Sequence, residues 1–286
     1  MPDGQSTAIA WRQALLSRFY EDWTSPDLAK ADLDHLVPIL PIAAIEQHGP
    51  HLPLGTDAIL ARAMVDKVVG QAPADWPGVF LPVQNIGCST EHRSFRGTLD
   101  LGWTLTTEAI LAIGESLKRS GFSSLVVVNA HGGNSPMMAQ AAVELRARHR
   151  LFVATSSWLR FGYPDGLLPA DEIAEGIHGG AVETSLMLHF AGEKVRCDHF
   201  ADFPSHQRVL ATRNRHLTAH GRLGFGWIAE DLNPQGVVGD ARLASAAIGA
   251  AIANHQAQGF LRFVEEVAET HGQIKTMIEE ADAVSR

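Results

Sequence analysis

Residues 37–69 read VPILPIAAI, then EQHGPHLPLGTD, then AILARAMVDKVV. VPILPIAAI (37–45) is a nearly unbroken apolar run, the pattern of a strand covered on both faces. AILARAMVDKVV (58–69) repeats its apolar residues at helical spacing, and Thr56 or Asp57 stands where a cap is expected. Strand, polar loop and helix together make the first half of a strand–helix–strand unit. The same order returns downstream, where LVVVNA (125–130) leads through HGGN (131–134) into PMMAQAAVELRARH (136–149). There Asn134 or Ser135 is the expected cap, and Pro136 suits a first helical turn. Between the two units, EAILAIGESLKRS (108–120) predicts a helix capped by Thr106 or Thr107 and closed by Lys118, Arg119 and Gly121. Val79–Gln84 and Leu151–Thr155 are weaker strand candidates. Strands alternating with helices predict the α/β class: one layered domain over residues 1–286, with a mostly parallel central sheet flanked by helices. From Leu243 onward the pattern predicts two amphipathic helices.

A chain of 286 residues with 45% hydrophobic and 19% charged residues has ample material for a sizeable core and is globular in composition. Lys and Arg number 23 against 32 Asp and Glu, a net charge of −9. That balance argues against nucleic acid or an anionic membrane as partner, since both ask for a basic face. The opening MPDGQSTAIAWRQALL has no basic segment followed by an apolar run, and no stretch approaches the ~18 apolar residues of a membrane span. The expected compartment is therefore the cytoplasm. Cys88 and Cys197 are too few for a disulfide framework or a thiolate metal site, and both are expected as small core residues.

In parallel sheets ligands sit beyond the carboxyl ends of the strands. The first strand candidate ends there in Glu46 and His48, whose i, i+2 spacing in extended chain puts both side chains on one side. Gly49 and Pro50 turn the chain, directing His51 away, and Asp57 returns at the next helix. Two carboxylates and an imidazole are ligands that a borderline divalent cation takes. His131 follows the second strand on the same edge, and His178-Gly179-Gly180 with Glu183 adds a third cluster. Each piece has an ordinary alternative: Asp57 as a helix cap, His131 as a hydrogen-bonded turn residue, His-Gly-Gly as a tight turn. Three such clusters arriving at one edge favour a site.

EQHGPHLPLGTD (46–57), NAHGGN (129–134) and HGGAVETS (178–185) resemble the signature segments of the creatininase (creatinine amidohydrolase) family. STEHRSFRGT (89–98) and NPQGVVGD (233–240) are also similar to family segments. The resemblance implies a creatininase-like fold, a homo-oligomer (a hexamer), a small-molecule substrate and a hydrolase with two divalent metal ions. Zinc heads the candidates, with manganese and iron next. By matching position, Glu46 and His131 would hold one ion and His48 the other, with Asp57 bridging them. His178 would be the catalytic acid/base, and Glu183 a metal ligand or catalytic partner. Two adjacent cations activate water and stabilise an oxyanion, and an imidazole protonates the leaving group. The implied reaction is hydrolysis of a cyclic amide or another non-peptide C–N bond. Ring opening of an inosose-type cyclic ketone and a non-catalytic metal-binding oligomer are the alternatives.

Two positions depart from the family pattern. Creatinine-hydrolysing members carry Glu where this chain has Gly133, which argues against creatinine as substrate. Arg96 stands where Pro is common, and reads either as a solvated loop residue or, with Arg93, as a contact for a substrate carboxylate. Trp158, at the end of a strand candidate, is expected in the core or an interface.

Overall fold

The computed structural model describes residues 17–284, apart from Arg222. Four strands form one parallel sheet in the order β2-β1-β3-β4: β1 Val37–Ile42, β2 Gly78–Phe80, β3 Ser124–Asn129 and β4 Phe152–Ser157. In register, Ile39 faces Phe80 on one side and Val126 on the other, and Val126 faces Ala154. Strands β1, β2 and β3 are buried along their whole length, as the apolar runs of β1 and β3 require, while the edge strand β4 is only partly buried. Side chains alternate along them, so Ile39, Val126 and Val128 enter one core while Leu40, Ile42, Leu125 and Val127 enter the other.

Helices cover each face. The first core is closed by α2 (Thr56–Val69), α6 (Ala181–Ala191) and α9 (Ala246–Val284), the second by α3 (Gly102–Ser120) and α4 (Ser135–His149). Short helices α1 (Ser25–Lys30), α5 (Ala170–Glu175), α7 (Gln207–Arg213) and α8 (Ala229–Leu232) lie in the connections. A two-stranded antiparallel ribbon, β5 (Asp202–Phe203) with β6 (Gly239–Asp240), stands apart from the main sheet. The α/β class with a parallel sheet between helices is as expected. The chain leaves β1 toward β2 on one side and β3 toward β4 on the other. The carboxyl ends of β1 and β3 therefore flank the switch point where open α/β sheets bind ligands.

Several local expectations need correction. None of the expected N-terminal caps makes a side-chain cap bond, whereas Gly121 closes α3 in the left-handed conformation (φ +108°) as expected. Thr56 Oγ1 donates to the Pro53 carbonyl (2.7 Å), and Asp57 turns inward from the first turn of α2. Helix α3 begins at Gly102, whose N–H is taken by Asp100 (2.8 Å), so Thr106 and Thr107 lie inside the helix and bond back to the carbonyls of Gly102 and Trp103. Asn134 instead ties loops together, accepting from Cys88 N–H (2.9 Å) and donating to the Ala43 carbonyl (3.1 Å). The region after Leu243 is one helix of 39 residues rather than two. Cys88 is buried but Cys197 is exposed. Trp158 is core, 4.7 Å from the ring of Phe260. No described helix is long and apolar enough to cross a membrane.

Candidate metal centre

After β1 the chain forms a tight loop over residues 46–54. Glu46 N–H donates to the Leu54 carbonyl (2.9 Å), and His48 bridges Leu52 across the turn. Gly49 makes that turn at φ +67°, a conformation L side chains resist. Glu46 and His48 are thereby held inward, both buried, and Asp57 meets them from α2. His131 arrives from the end of β3. His178 and Glu183 arrive from the start of α6, where the His178 segment pairs with Val238 beside β6.

The candidates converge. His131 Nδ1 lies 3.1 Å from Glu46 Oε1 and 3.6 Å from Asp57 Oδ2. His48 Nε2 lies 3.3 Å from Asp57 Oδ1 and 3.8 Å from Glu183 Oε2. His178 Nδ1 is 3.7 Å from Glu46 Oε1, and its ring lies 4.2 Å from that of His48. Asp57 thus directs one oxygen at each of two histidines.

Backbone carbonyls set the tautomers. His48 Nδ1 is 3.2 Å from the Glu46 carbonyl, His131 Nε2 is 2.9 Å from that of Cys88, and His178 Nε2 is 2.8 Å from that of Gln47. A carbonyl only accepts, so each of these nitrogens carries the hydrogen. In the neutral ring the other nitrogen then presents its lone pair to the carboxylates, the arrangement in which imidazole binds a metal.

The electrostatics of the metal-free chain are those of a charged cluster shut from water. Burial favours a neutral Glu46, yet His131, His178 and His92 outweigh it and hold the carboxyl well below the usual range. Burial opposes charge on His48 too, but Asp57, Glu183 and Glu46 raise its pKa to about 9, and Glu46 likewise raises His131. Burial, with Asp57 nearby, pushes Glu183 up to about 7. His178 is driven well below its ordinary value by burial and by its neighbours His48 and His92.

The donor set fits divalent cations. Among the described residues, Glu46 Oε1 and Oε2, His48 Nε2 and Asp57 Oδ2 are buried atoms without a hydrogen-bond partner. Orphans of this kind are costly unless something else satisfies them. Glu46, Asp57 and His131 form one group whose ligand atoms lie within 4.8 Å of one another, His48, Asp57 and Glu183 a second, and Glu46, His48 and His178 a third.

His51 is directed away from the centre, as expected: its Nε2 lies within hydrogen-bond distance of the Gly179 carbonyl and Thr184 Oγ1, and its ring stacks on Phe203. Three residues given no role in the sequence reading join the centre. His92 Nδ1 is 2.8 Å from Gln47 Nε2, an amide donor, so its Nε2 carries the hydrogen and faces Glu46 Oε1 at 3.6 Å. His92 therefore turns an N–H, not a lone pair, toward a candidate ligand, at a distance beyond a hydrogen bond. Gln47 links it onward to the Gly236 carbonyl (2.5 Å). Glu91 stands behind His131, with Oε1 3.3 Å from Nε2. The available signal was Glu91-His92 within the family-like segment 89–98.

A cleft of about 450 Å³ opens onto the centre, lined by Glu91, His92, His131, His178 and Glu183 and walled by Leu159, Phe225 and Trp227. Arg96 is exposed and outside that lining, and Arg93 is engaged by Asp100 (Nε–Oδ2 3.0 Å), so the solvated-loop reading holds for Arg96. A larger cavity of about 590 Å³ lies along α9 near His35 and contains none of these groups.

Comparison with known proteins identifies the family. The family model described as creatinine amidohydrolase matches residues 21–264. The mycofactocin precursor peptide peptidase of Mycolicibacterium smegmatis is 34% identical over 221 residues, covering 76% of this chain and 80% of the relative. The creatinine amidohydrolase of Pseudomonas putida is 29% identical over 187 residues, covering 58% of this chain and 68% of the relative. A solved structure described as "Creatininase Mn" superposes with a TM-score of 0.69 at 25% identity, covering 87% of this chain and 98% of its own. The chain therefore belongs to the creatininase (creatinine amidohydrolase) family of hydrolases acting on C–N bonds.

Proposed function

We propose that this chain is a metal-dependent amidohydrolase in which Glu46, Asp57 and His131 hold one divalent cation and His48, Asp57 and Glu183 a second. The observation that carries the reading is the placement of Asp57, whose Oδ1 faces His48 and whose Oδ2 faces His131. One carboxylate between two ligand groups is what a bridging role needs. Nitrogen and oxygen donors without thiolate suit zinc, then manganese or iron. When bound, the two cations supply the positive charge that lowers the pKa of water toward neutrality and stabilises a developing oxyanion.

The protein groups then divide the work. His178 keeps one proton on Nε2, donated to the Gln47 carbonyl, and leaves Nδ1 open toward the centre. It can take a proton at Nδ1 from attacking water and return it to the departing nitrogen. Glu183 is fixed by the Gly179 N–H (2.6 Å to Oε2), which holds it toward His48. Burial of Glu46, His48 and Asp57 excludes water from all but the cleft side.

The substrate reading is a small molecule carrying a cyclic amide or similar C–N bond. A second reading, cleavage of an amide in a peptide, is favoured by the apolar wall of Leu159, Phe225 and Trp227 and by the 34% identical peptide peptidase. The test is a screen of lactams, formamides and short peptides with the metal-loaded protein, run beside His178→Ala. Hydrolysis by the wild type and its loss in a variant that keeps its metal are expected. Near-normal turnover in His178→Ala overturns the acid/base role.

A further inference from the structure

We propose that Glu91 is a positioning residue for His131, acting from outside the ligand set in space that only a glycine at position 133 leaves free. This rests on the reading of His131 as a metal ligand.

His131 presents Nδ1 to Glu46 and Asp57, and its Nε2 carries the hydrogen because it lies 2.9 Å from the Cys88 carbonyl. Glu91 Oε1 lies 3.3 Å from that same nitrogen. The Nε2–H therefore faces two acceptors, one of them a carboxylate. A carboxylate behind a ligating imidazole fixes the ring's tautomer and orientation and makes the opposite nitrogen a stronger donor to metal. Glu91 sits on the short turn Thr90–His92, whose last residue directs Nε2–H at Glu46. One turn thus brings a carboxylate to His131 and an N–H toward Glu46. Asp100 holds the turn in place, accepting from Ser89 N–H (3.0 Å) and Arg93 Nε (3.0 Å).

The space around Glu91 is closed to a side chain at position 133. A Cβ built on Gly133 would lie 2.3 Å from Glu91 Oε1, 2.4 Å from His131 Nε2 and 2.9 Å from the Cys88 carbonyl oxygen. Glu91 could swing away, but the Cys88 backbone and the imidazole cannot yield without disturbing the centre. Gly133 and Glu91 therefore form a matched pair, and a methyl group at 133 displaces the carboxylate.

The experiment titrates the metal-free chain with zinc by chelator competition at fixed pH, using wild type, Glu91→Gln, Glu91→Ala and Gly133→Ala, with far-UV circular dichroism to check each fold. Glu91→Ala is expected to weaken one of the two zinc equivalents about 10- to 100-fold and leave the other within about twofold. Glu91→Gln, which keeps an oxygen acceptor but no charge, falls between, and Gly133→Ala, whose methyl meets the His131 ring as well as Glu91, loses at least as much as Glu91→Ala. A wild type that binds zinc while Glu91→Ala and Glu91→Gln both match it overturns this proposal alone. A wild type that takes up no zinc overturns the metal reading and this proposal with it.

Discussion

Metal uptake by this centre is expected to strengthen steeply with pH, because His48, His131 and Glu183 among its proposed ligands hold protons that a cation must displace. In the metal-free chain burial opposes the charge on His48, but Asp57, Glu183 and Glu46 raise its pKa to about 9, and burial raises Glu183 to about 7. Only the neutral imidazole and the ionised carboxylate bind metal, so the competent fraction grows as pH rises. Between pH 6 and pH 8 the neutral fraction of a group titrating near 9 grows about 100-fold, and the ionised fraction of one titrating near 7 about 10-fold. Together they give an increase of about 1,000-fold, or about 4 kcal/mol, in apparent affinity for the cation held by His48, Asp57 and Glu183. Ordinary His and Glu values would give only about fourfold over the same range. At pH 7 binding should release at least about 1.5 protons, roughly one from His48 and a half from Glu183, with His131, which Glu46 also holds above its ordinary range, adding to them. Calorimetric titration in buffers of different ionisation enthalpy measures both quantities. An affinity that changes less than about tenfold from pH 6 to pH 8, with under about half a proton released at pH 7, refutes the reasoning.

Other consequences concern the frame around the centre. Phe260 is fully buried among Trp76, Phe80, Trp158 and Phe161, so Phe260→Ala is expected to cost about 3–5 kcal/mol, read as a lower denaturant midpoint at unchanged slope. Glu172 accepts from Ala181 N–H (2.7 Å) and Asp240 N–H (2.8 Å), joining the start of α6 to β6. Glu172→Ala is therefore expected to cost about 1–3 kcal/mol for each N–H left unpaired, seen as a fall in Tm. Arg96→Ala, on an exposed residue outside the cleft lining, is expected to leave KM unchanged for whichever substrate the screen identifies, and a severalfold rise would return Arg96 to the site.

The parts of the centre that follow a strand directly were legible in the sequence, because short loops leave little freedom. Glu46, His48, Asp57 and His131 lie within one turn or loop of β1 or β3, and the edge they occupy follows from parallel topology. His178 and Glu183 were separable from an ordinary Gly-Gly turn only by resemblance, because their approach depends on a distant pairing of His178 with Val238. His92, Gln47 and Glu91 were missed for a related reason. Segment 89–99 is brought in by long-range bonds, Thr98 Oγ1 accepting from Gln47 N–H (3.2 Å) and Leu99 N–H donating to the Ile45 carbonyl (2.8 Å), and no periodicity announces them. The expected N-terminal caps failed because Asp57 and Asn134 are used elsewhere, one in the centre and one tying loops together. Helix α9 runs unbroken although glycines interrupt its pattern. A Cβ at Gly249 would lie 1.9 Å from the Ser185 carbonyl oxygen, and one at Gly259 would lie 2.9 Å from the Phe161 ring. Those glycines let neighbouring elements approach closely, and tertiary packing outweighs their low helix propensity.

The most direct test of the account is the metal content of the reconstituted protein, by mass spectrometry after removal of free ions, for wild type beside Asp57→Ala. Two divalent cations are expected per wild-type chain and neither in the variant, since the carboxylate shared by both ligand groups is gone. A wild type that binds none, or an Asp57→Ala variant that retains both, would contradict it.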